Sequence, residues 1–259
     1  MALRGEDDKP NRPENDTILS LTAREVSITV HELRGAGSVA TGYLGMLKRG
    51  IGPPLSEQQL HMLDEIIKSS TKMMAIVNEL SDIGKLDSGL IKLERTPLDV
   101  FSLVGEVAEL VHKAKEYEVH LTLRGDERGA QLSGDSKRLR SAFHAIFRAI
   151  LREKPAPATV VAERRRVRRD GRTAAIVIVS DEASVQEAYE REPAPFFEKR
   201  GGLGLALPLA RRVIEGHGGR LWSPKPVRDD DDAERPADIE RPRDPISRGS
   251  AIVSLPLTE

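Results

Sequence analysis

Residues 19–47 read LSLTAREVSITVHELRGAGSVATGYLGML, and the spacing of the apolar residues in this stretch decides the fold. Apolar and small residues recur every seven positions in two series, Leu19, Val26, Leu33, Ala40 and Leu47, and Ala23, Val30, Gly37 and Leu44. This heptad predicts a long helix that buries one narrow seam against another helix. We expect Val30 and Leu33 to face inward, and His31 to lie at the shoulder of the seam, where solvent reaches the ring.

The flanking residues predict two helices joined by a short turn. Asp16 or Thr17 is a candidate N-cap for the first helix, and the Gly- and Pro-rich residues 50–54 end it. Ser56 and Gln59 form a capping box for the second helix. Its apolar stripe comprises Leu60, Leu63, Ile67, Met74 and Val77, and is widened by Ile66, Met73 and Leu80. Because one hairpin cannot bury two such stripes, we expect a homodimer whose hairpins form a four-helix bundle; packing against the rest of the chain is the alternative.

The composition excludes several classes of site. The chain has 259 residues, a formal net charge of −1 and no cysteine, which excludes disulfides, thiolate metal sites and cysteine catalysis. No apolar run approaches the roughly 20 residues that span a bilayer, and the N-terminus lacks a signal-peptide core. We therefore expect a cytoplasmic protein that does not insert directly into a membrane. Residues 1–15 are expected to form a disordered polar tail.

Two charged clusters have simpler explanations than ligand binding. The arginines within 164–169 lie on a predicted hairpin beside acidic residues, so we interpret them as a solvated or partner-facing edge and expect no nucleic acid partner. The four aspartates at 229–232 lie within residues 227–248, which we expect to form a mobile acidic loop. Neither these aspartates nor the spacing of the histidines predicts a metal site.

From Leu90 onward the pattern is typical of a mixed α/β domain. Strands are predicted over 91–93, 120–123, 159–168, 172–179, 220–223 and 251–255. Helices are predicted over 97–115, from Asp135 to the prolines at 155 and 157, and from the glycine cluster at 201–204 to about His217. The turn Asp170-Gly171 joins two of the strands into a hairpin.

Five motifs then follow one another in a characteristic order: VHELR at 30–34, LSDIGKLDSG at 80–89, SGDSKRL at 133–139, the glycine-rich residues 201–222, and 249–257. Together they resemble the transmitter core of two-component sensor histidine kinases. The resemblance implies an α + α/β fold in two parts. Residues 16–88 would be the dimerisation and phosphoacceptor hairpin, and residues 89–259 a degenerate ATP-binding domain, an α/β sandwich of the GHKL type.

The nucleotide site departs from that family at several positions. Arg148 stands where the family has the asparagine that holds magnesium, and a guanidinium has no lone pair for a metal. Asp181 is kept, but the two glycines expected after it are replaced, which restricts the backbone there. The glycines Gly201, Gly202 and Gly204 remain as a phosphate cradle at a helix N-terminus. ATP and magnesium are therefore expected only if this degenerate site still binds them.

The phosphoacceptor end departs less. The resemblance makes His31 the phosphoacceptor, with Glu32 polarising the ring or accepting its proton and Arg34 steadying phosphate charge. Glu32 pairing with a neighbouring cation, and a solvated Arg34, are the alternatives. Gly35 replaces a residue that would orient a hydrolytic water, and Ala36 replaces a proline, which predicts a straighter first helix.

These features favour a dimeric histidine phosphotransferase or pseudokinase. In that hypothesis His31 exchanges phosphoryl groups with the aspartate of response-regulator receiver domains and requires no cofactor of its own. One alternative is an active soluble sensor kinase that autophosphorylates His31 from ATP. The other is a non-catalytic binding module that sequesters a receiver or a kinase.

Overall fold

The computed structural model describes residues 23–113, 119–155, 157–169, 171–199, 203–227 and 244–258. It begins with two long antiparallel helices, α1 (Ala23–Lys48) and α2 (Glu57–Asp87). The predicted capping box is present, because Ser56 and Gln59 each bond the other's backbone N–H. The predicted N-cap of α1 at residue 16 or 17, and the predicted tail over 1–15, lie outside the described residues.

The seam between α1 and α2 is only partly as predicted. Val30 is 2% exposed, in agreement with the heptad, whereas Leu33 is 47% exposed in the single chain, so its inward position stays a prediction for the dimer. Two helices cover only one narrow strip of each other, and Leu33 lies on the flank of that strip. Other apolar residues of the hairpin are also exposed: Leu47, Leu60, Ile66 and Met73.

The second part, here called the α/β region, begins with β1 (Thr96–Asp99), α3 (Val100–Lys113), β2 (Val119–Gly125), β3 (Gln131–Gly134) and α4 (Ser136–Glu153). The helix predicted over 97–115 therefore begins three residues after its predicted start. The reason is that residues 96–99 pair with β3, and that Asp99 accepts the N–H groups of Phe101 and Ser102 at the start of α3.

The strand predicted over 91–93 is wrong. The N–H groups of Leu90 and Ile91 both donate to the carbonyl of Lys85, at 2.9 and 3.2 Å, so the chain still follows the end of α2 there. Backbone groups used in this way do not form a strand ladder.

The remaining elements complete a six-stranded sheet. They are β4 (Ala158–Arg169), β5 (Arg172–Asp181), α5 (Val185–Glu190), β6 (Pro193–Pro195), α6 (Ala206–Gly216), β7 (Arg220–Pro224), α7 (Pro245–Arg248) and β8 (Ala251–Pro256). The strand order is β2-β4-β5-β8-β7-β6, and only the β2–β4 pair is parallel. The predicted hairpin is confirmed, since Arg169 pairs with Arg172 around Gly171, whose φ is +76°.

Helices cover both faces of this sheet. Alternate residues of β5 and β8 contribute to two separate apolar clusters. The larger cluster includes Phe101 of α3, Phe143 of α4 and Ile214 of α6, and the smaller includes Val185 of α5. The α + α/β fold class is therefore as predicted.

Two predictions about charged stretches need correction. Arg164 is 5% exposed and its Nη1 donates to the carbonyl of Phe101 at 3.1 Å, so this arginine does not belong to a solvated edge. Residues 245–248, which were predicted to be part of a mobile loop, form α7, because Asp244 accepts the N–H groups of Ile246 and Ser247. Residues 228–243 of the predicted loop lie outside the described residues.

Candidate functional site

His31 lies in the middle of α1 with its side chain 83% exposed. Successive helical residues are about 100° apart around the axis, so the burial of Val30 against α2 turns the next residue outward. The Nδ1 atom of His31 lies 3.6 Å from Oε1 of Glu32, whose side chain is 79% exposed. The imidazole is therefore accessible to another protein and has a carboxylate beside one of its two nitrogens.

Arg34 links α1 to α2, and its role toward phosphate stays a prediction. Its Nε donates to Oδ1 of Asn78 at 3.1 Å, which joins α1 to α2 three residues from His31. A side chain added at Gly35 would meet no atom within 4 Å, so the surface beside His31 is open there. The helix continues through Gly35 and Ala36 without interruption.

A cleft of about 970 Å³ lies between α2, α4 and α6. Arg148 and Gly204, two of the predicted nucleotide-site residues, both line it. Further basic groups on its walls are Lys72, Lys92, Lys137, Arg138, Arg140 and His144. Gly201 and Gly202 lie outside the described residues.

Asp181 is not among the described residues that line the cleft. Its carboxylate accepts a hydrogen bond from the ammonium group of Lys154, whose side chain is only 5% exposed. A side chain at Gly249 would overlap that ammonium group, so the glycine makes room for it. Sequence reasoning missed Lys154, because no spacing rule relates a residue just after α4 to the end of β5.

Glu79 of α2 is the second residue that sequence reasoning missed. Its Oε2 accepts the backbone N–H of Leu205 at 2.8 Å, immediately before α6. Burial raises the pKa of Glu79, while the hydrogen bond from Leu205 lowers it. A carboxylate from α2 therefore lies at the helix terminus that the sequence marks as a phosphate cradle.

Two further carboxylates of α2 contact the α/β region. Asp82 lies 3.5 Å from Nη1 of Arg138 on α4, and Asp87 accepts a hydrogen bond from Nε of Arg212 on α6 at 2.7 Å. The spacing of the residues at 79, 82 and 87 places them on neighbouring turns outside the apolar stripe. That acidic row was visible in the sequence, although its partners were not.

Among the residues that the structure describes, no helix combines the length and apolar character needed to cross a membrane.

Comparison with known proteins identifies the first part of the chain. Residues 22–89 match the family model of the His Kinase A (phospho-acceptor) domain. The chain is 25% identical over 202 residues to the circadian input-output histidine kinase CikA of Synechococcus elongatus, covering 74% of this chain and 26% of CikA. It is 27% identical over 195 residues to the sensor protein DivL of Caulobacter vibrioides, covering 73% of this chain and 24% of DivL. The chain thus spans about a quarter of the length of these relatives.

A solved structure supports the fold of both parts. The crystal structure of full-length ShkA in complex with AMPPNP superposes with a TM-score of 0.59 at 18% identity, over 92% of this chain and 47% of ShkA. With the family match and the relatives, this shows that residues 22–89 are a His Kinase A phospho-acceptor domain. The chain is therefore homologous to sensor histidine kinases of two-component signal transduction, and its α/β region resembles the ATPase domains of histidine kinases in fold.

Proposed function

We propose that this chain is a dimeric histidine phosphotransferase or pseudokinase, in which His31 exchanges a phosphoryl group with the aspartate of response-regulator receiver domains. The observation that carries the proposal is the exposed imidazole of His31 beside Glu32, within residues that match the His Kinase A phospho-acceptor domain.

Phosphoryl exchange needs only the imidazole ring of His31 and the receiver domain. With its proton on Nδ1, facing Glu32, the imidazole presents the lone pair of Nε2 to the phosphorus of an aspartyl phosphate. The N–P bond forms as the P–O bond of the mixed anhydride breaks, and the aspartate carboxylate leaves. The carboxylate of Glu32 stabilises the positive charge that develops on the ring. The anhydride supplies the driving force, and the same steps run in reverse.

Three features of the residues expected at the nucleotide site argue against a magnesium–ATP complex there. Arg148, whose guanidinium has no lone pair for a metal, stands where the resemblance implies the asparagine that holds magnesium, and the carboxylate of Asp181 is engaged by Lys154. The N–H of Leu205, at the start of α6, is engaged by Glu79. These contacts support a role without ATP, and any metal would come with the acidic pocket of the receiver.

The test is phosphoryl transfer from receivers carrying radiolabelled aspartyl phosphate. We expect acid-labile label on the wild-type chain, none on His31→Ala, and wild-type labelling of His61→Ala, a matched change at an exposed histidine of α2. Glu32→Gln is expected to slow transfer by about a hundredfold, the usual contribution of a positioned acid–base group. Equal behaviour of wild type and His31→Ala across a broad receiver panel would count against the proposal.

The other two hypotheses give different results. An active sensor kinase would label His31 rapidly from radiolabelled ATP with magnesium, and would release heat on nucleotide titration only in the presence of the metal. A binding module would keep its biological effect in His31→Ala. We expect neither result.

A further inference from the structure

The start of α6 is capped by a residue from a distant part of the chain. The first N–H groups of a helix have no partner within the helix and carry partial positive charge, so they attract anions. Leu205 occupies the N-cap position of α6, and its own side chain makes no capping hydrogen bond. The acceptor for its N–H is the carboxylate of Glu79, on α2, at 2.8 Å.

Gly204 allows α2 to approach this closely. Its φ is +58°, in the left-handed region that favours glycine. A Cβ atom at this position would lie 2.9 Å from Cγ1 of Ile76 and 3.0 Å from Oε2 of Glu79. The glycine thus fits the surface of α2 in the docked arrangement.

The contact lies at nearly the same level along the hairpin axis as the phosphoacceptor. Arg34 bonds Asn78, and Thr41 bonds Ser70, so in this antiparallel register Glu79 is level with residue 33 of α1. At 1.5 Å per residue, that is about 3 Å along the axis from His31. The ion pairs of Asp82 with Arg138 and of Asp87 with Arg212 extend the same contact along α2. The α/β region is therefore docked on α2 at the height of the reactive ring.

We propose that Glu79 is an internal anion that occupies the start of α6 and holds the α/β region on α2 in an arrangement that closes this helix terminus to phosphate-bearing ligands. A phosphate-bearing ligand reaches the start of α6 only when this contact opens. The contact does not depend on phosphoryl exchange at His31, and the measurements below report on it independently.

Docking is measured by the distance between two spin labels. The chain has no cysteine, so Gln58→Cys on α2 and Ala183→Cys in the α/β region, both exposed, can be labelled cleanly. Labelled chain is diluted with unlabelled chain to remove distances between protomers. The parent should give one narrow distribution. Glu79→Ala should lower the ratio of docked to undocked molecules by about tenfold, because a charge-assisted hydrogen bond is lost.

Two further variants separate this contact from a general loss of charge. Glu65→Ala also removes a carboxylate of α2, but one that pairs with Lys68 on the same helix, so it should keep the parent distribution. Gly204→Ala should open the contact from the opposite side, through overlap with Ile76. A parent-like distribution in both Glu79→Ala and Gly204→Ala would overturn the proposal.

Ligand access is tested by calorimetric titration with inorganic pyrophosphate and with ADP, both without metal. Glu79→Ala should bind pyrophosphate more tightly than the parent and Glu65→Ala do. If only the affinity for ADP increases, the effect belongs to the base rather than to the phosphate groups, and the proposal is overturned. An unchanged affinity for both probes would overturn it as well.

Discussion

His217 is a buried histidine whose two ring nitrogens both have backbone partners. Nδ1 lies 2.6 Å from the carbonyl oxygen of Val213, and Nε2 accepts the N–H of Asp135 at 2.9 Å. Since a carbonyl only accepts and an N–H only donates, the ring is neutral with its proton on Nδ1. Burial lowers the pKa of His217. The imidazole ring thereby holds Asp135, the residue that caps α4, in place.

This arrangement makes stability depend on acid pH. Below the unfolded pKa of about 6.5, the unfolded chain takes up a proton that folded His217 resists, so stability falls as the pH falls, by up to about 1.4 kcal/mol per pH unit. Urea unfolding followed by the fluorescence of Trp222, the single tryptophan, should show this loss between pH 7.5 and 5.5. The loss should be smaller in His217→Gln.

His61→Gln is the matched control, because His61 is an exposed histidine of α2. It should keep the pH dependence of the wild type. If His217→Gln also keeps it, the acid sensitivity comes from another group.

At the scale of single elements, α1 contains glycines that pack and glycines that do not. A Cβ at Gly42 would meet no atom within 4 Å, whereas one at Gly37 would overlap Sδ of Met74. Glycine within a helix costs about 0.5–1 kcal/mol relative to alanine. Gly42→Ala should therefore raise the free energy of unfolding by about that amount. Gly37→Ala should raise the free energy of unfolding by less, because Met74 must move.

Urea unfolding followed by circular dichroism, at a fixed chain concentration, measures both changes. An equal increase in the free energy of unfolding in the two variants would show that the contact between Gly37 and Met74 does not constrain the helix.

Sequence periodicity predicted the elements better than their contacts. The apolar residues that recur at helical spacing along α4 are all buried: Leu139, Ala142, Phe143, Ile146, Phe147 and Ile150. Strands β1 and β3 were missed, because Thr96 pairs with Gly134 across a whole helix and the pairing leaves no local pattern. The contact of Glu79 with Leu205 was missed for the same reason, since a pattern identifies a face of a helix without identifying what packs on it.

At the scale of the whole molecule, the hairpin exposes apolar residues along the predicted seam. Leu33, Leu47, Leu60 and Ile66 are each at least 40% exposed in the single chain. We expect two chains to bury these residues together as a homodimer. Ile66→Glu should raise the dissociation constant at least about a hundredfold, because each dimer would lose two buried apolar contacts and gain two buried charges.

Light scattering during gel filtration measures this change. Ile28→Glu is the matched control, since Ile28 is also exposed but lies outside both heptad series on α1. A wild-type chain that remains monomeric, or equal effects of the two substitutions, would contradict a dimer built on the hairpin.

The short strand β6 has a consequence for unwanted association. It lies at the edge of the six-stranded sheet and reads Pro193-Ala194-Pro195. Proline has no amide hydrogen, so a strand from a neighbouring molecule would find no donor at two of the three positions. This border of the sheet is thus protected against amyloid-like stacking and strand exchange.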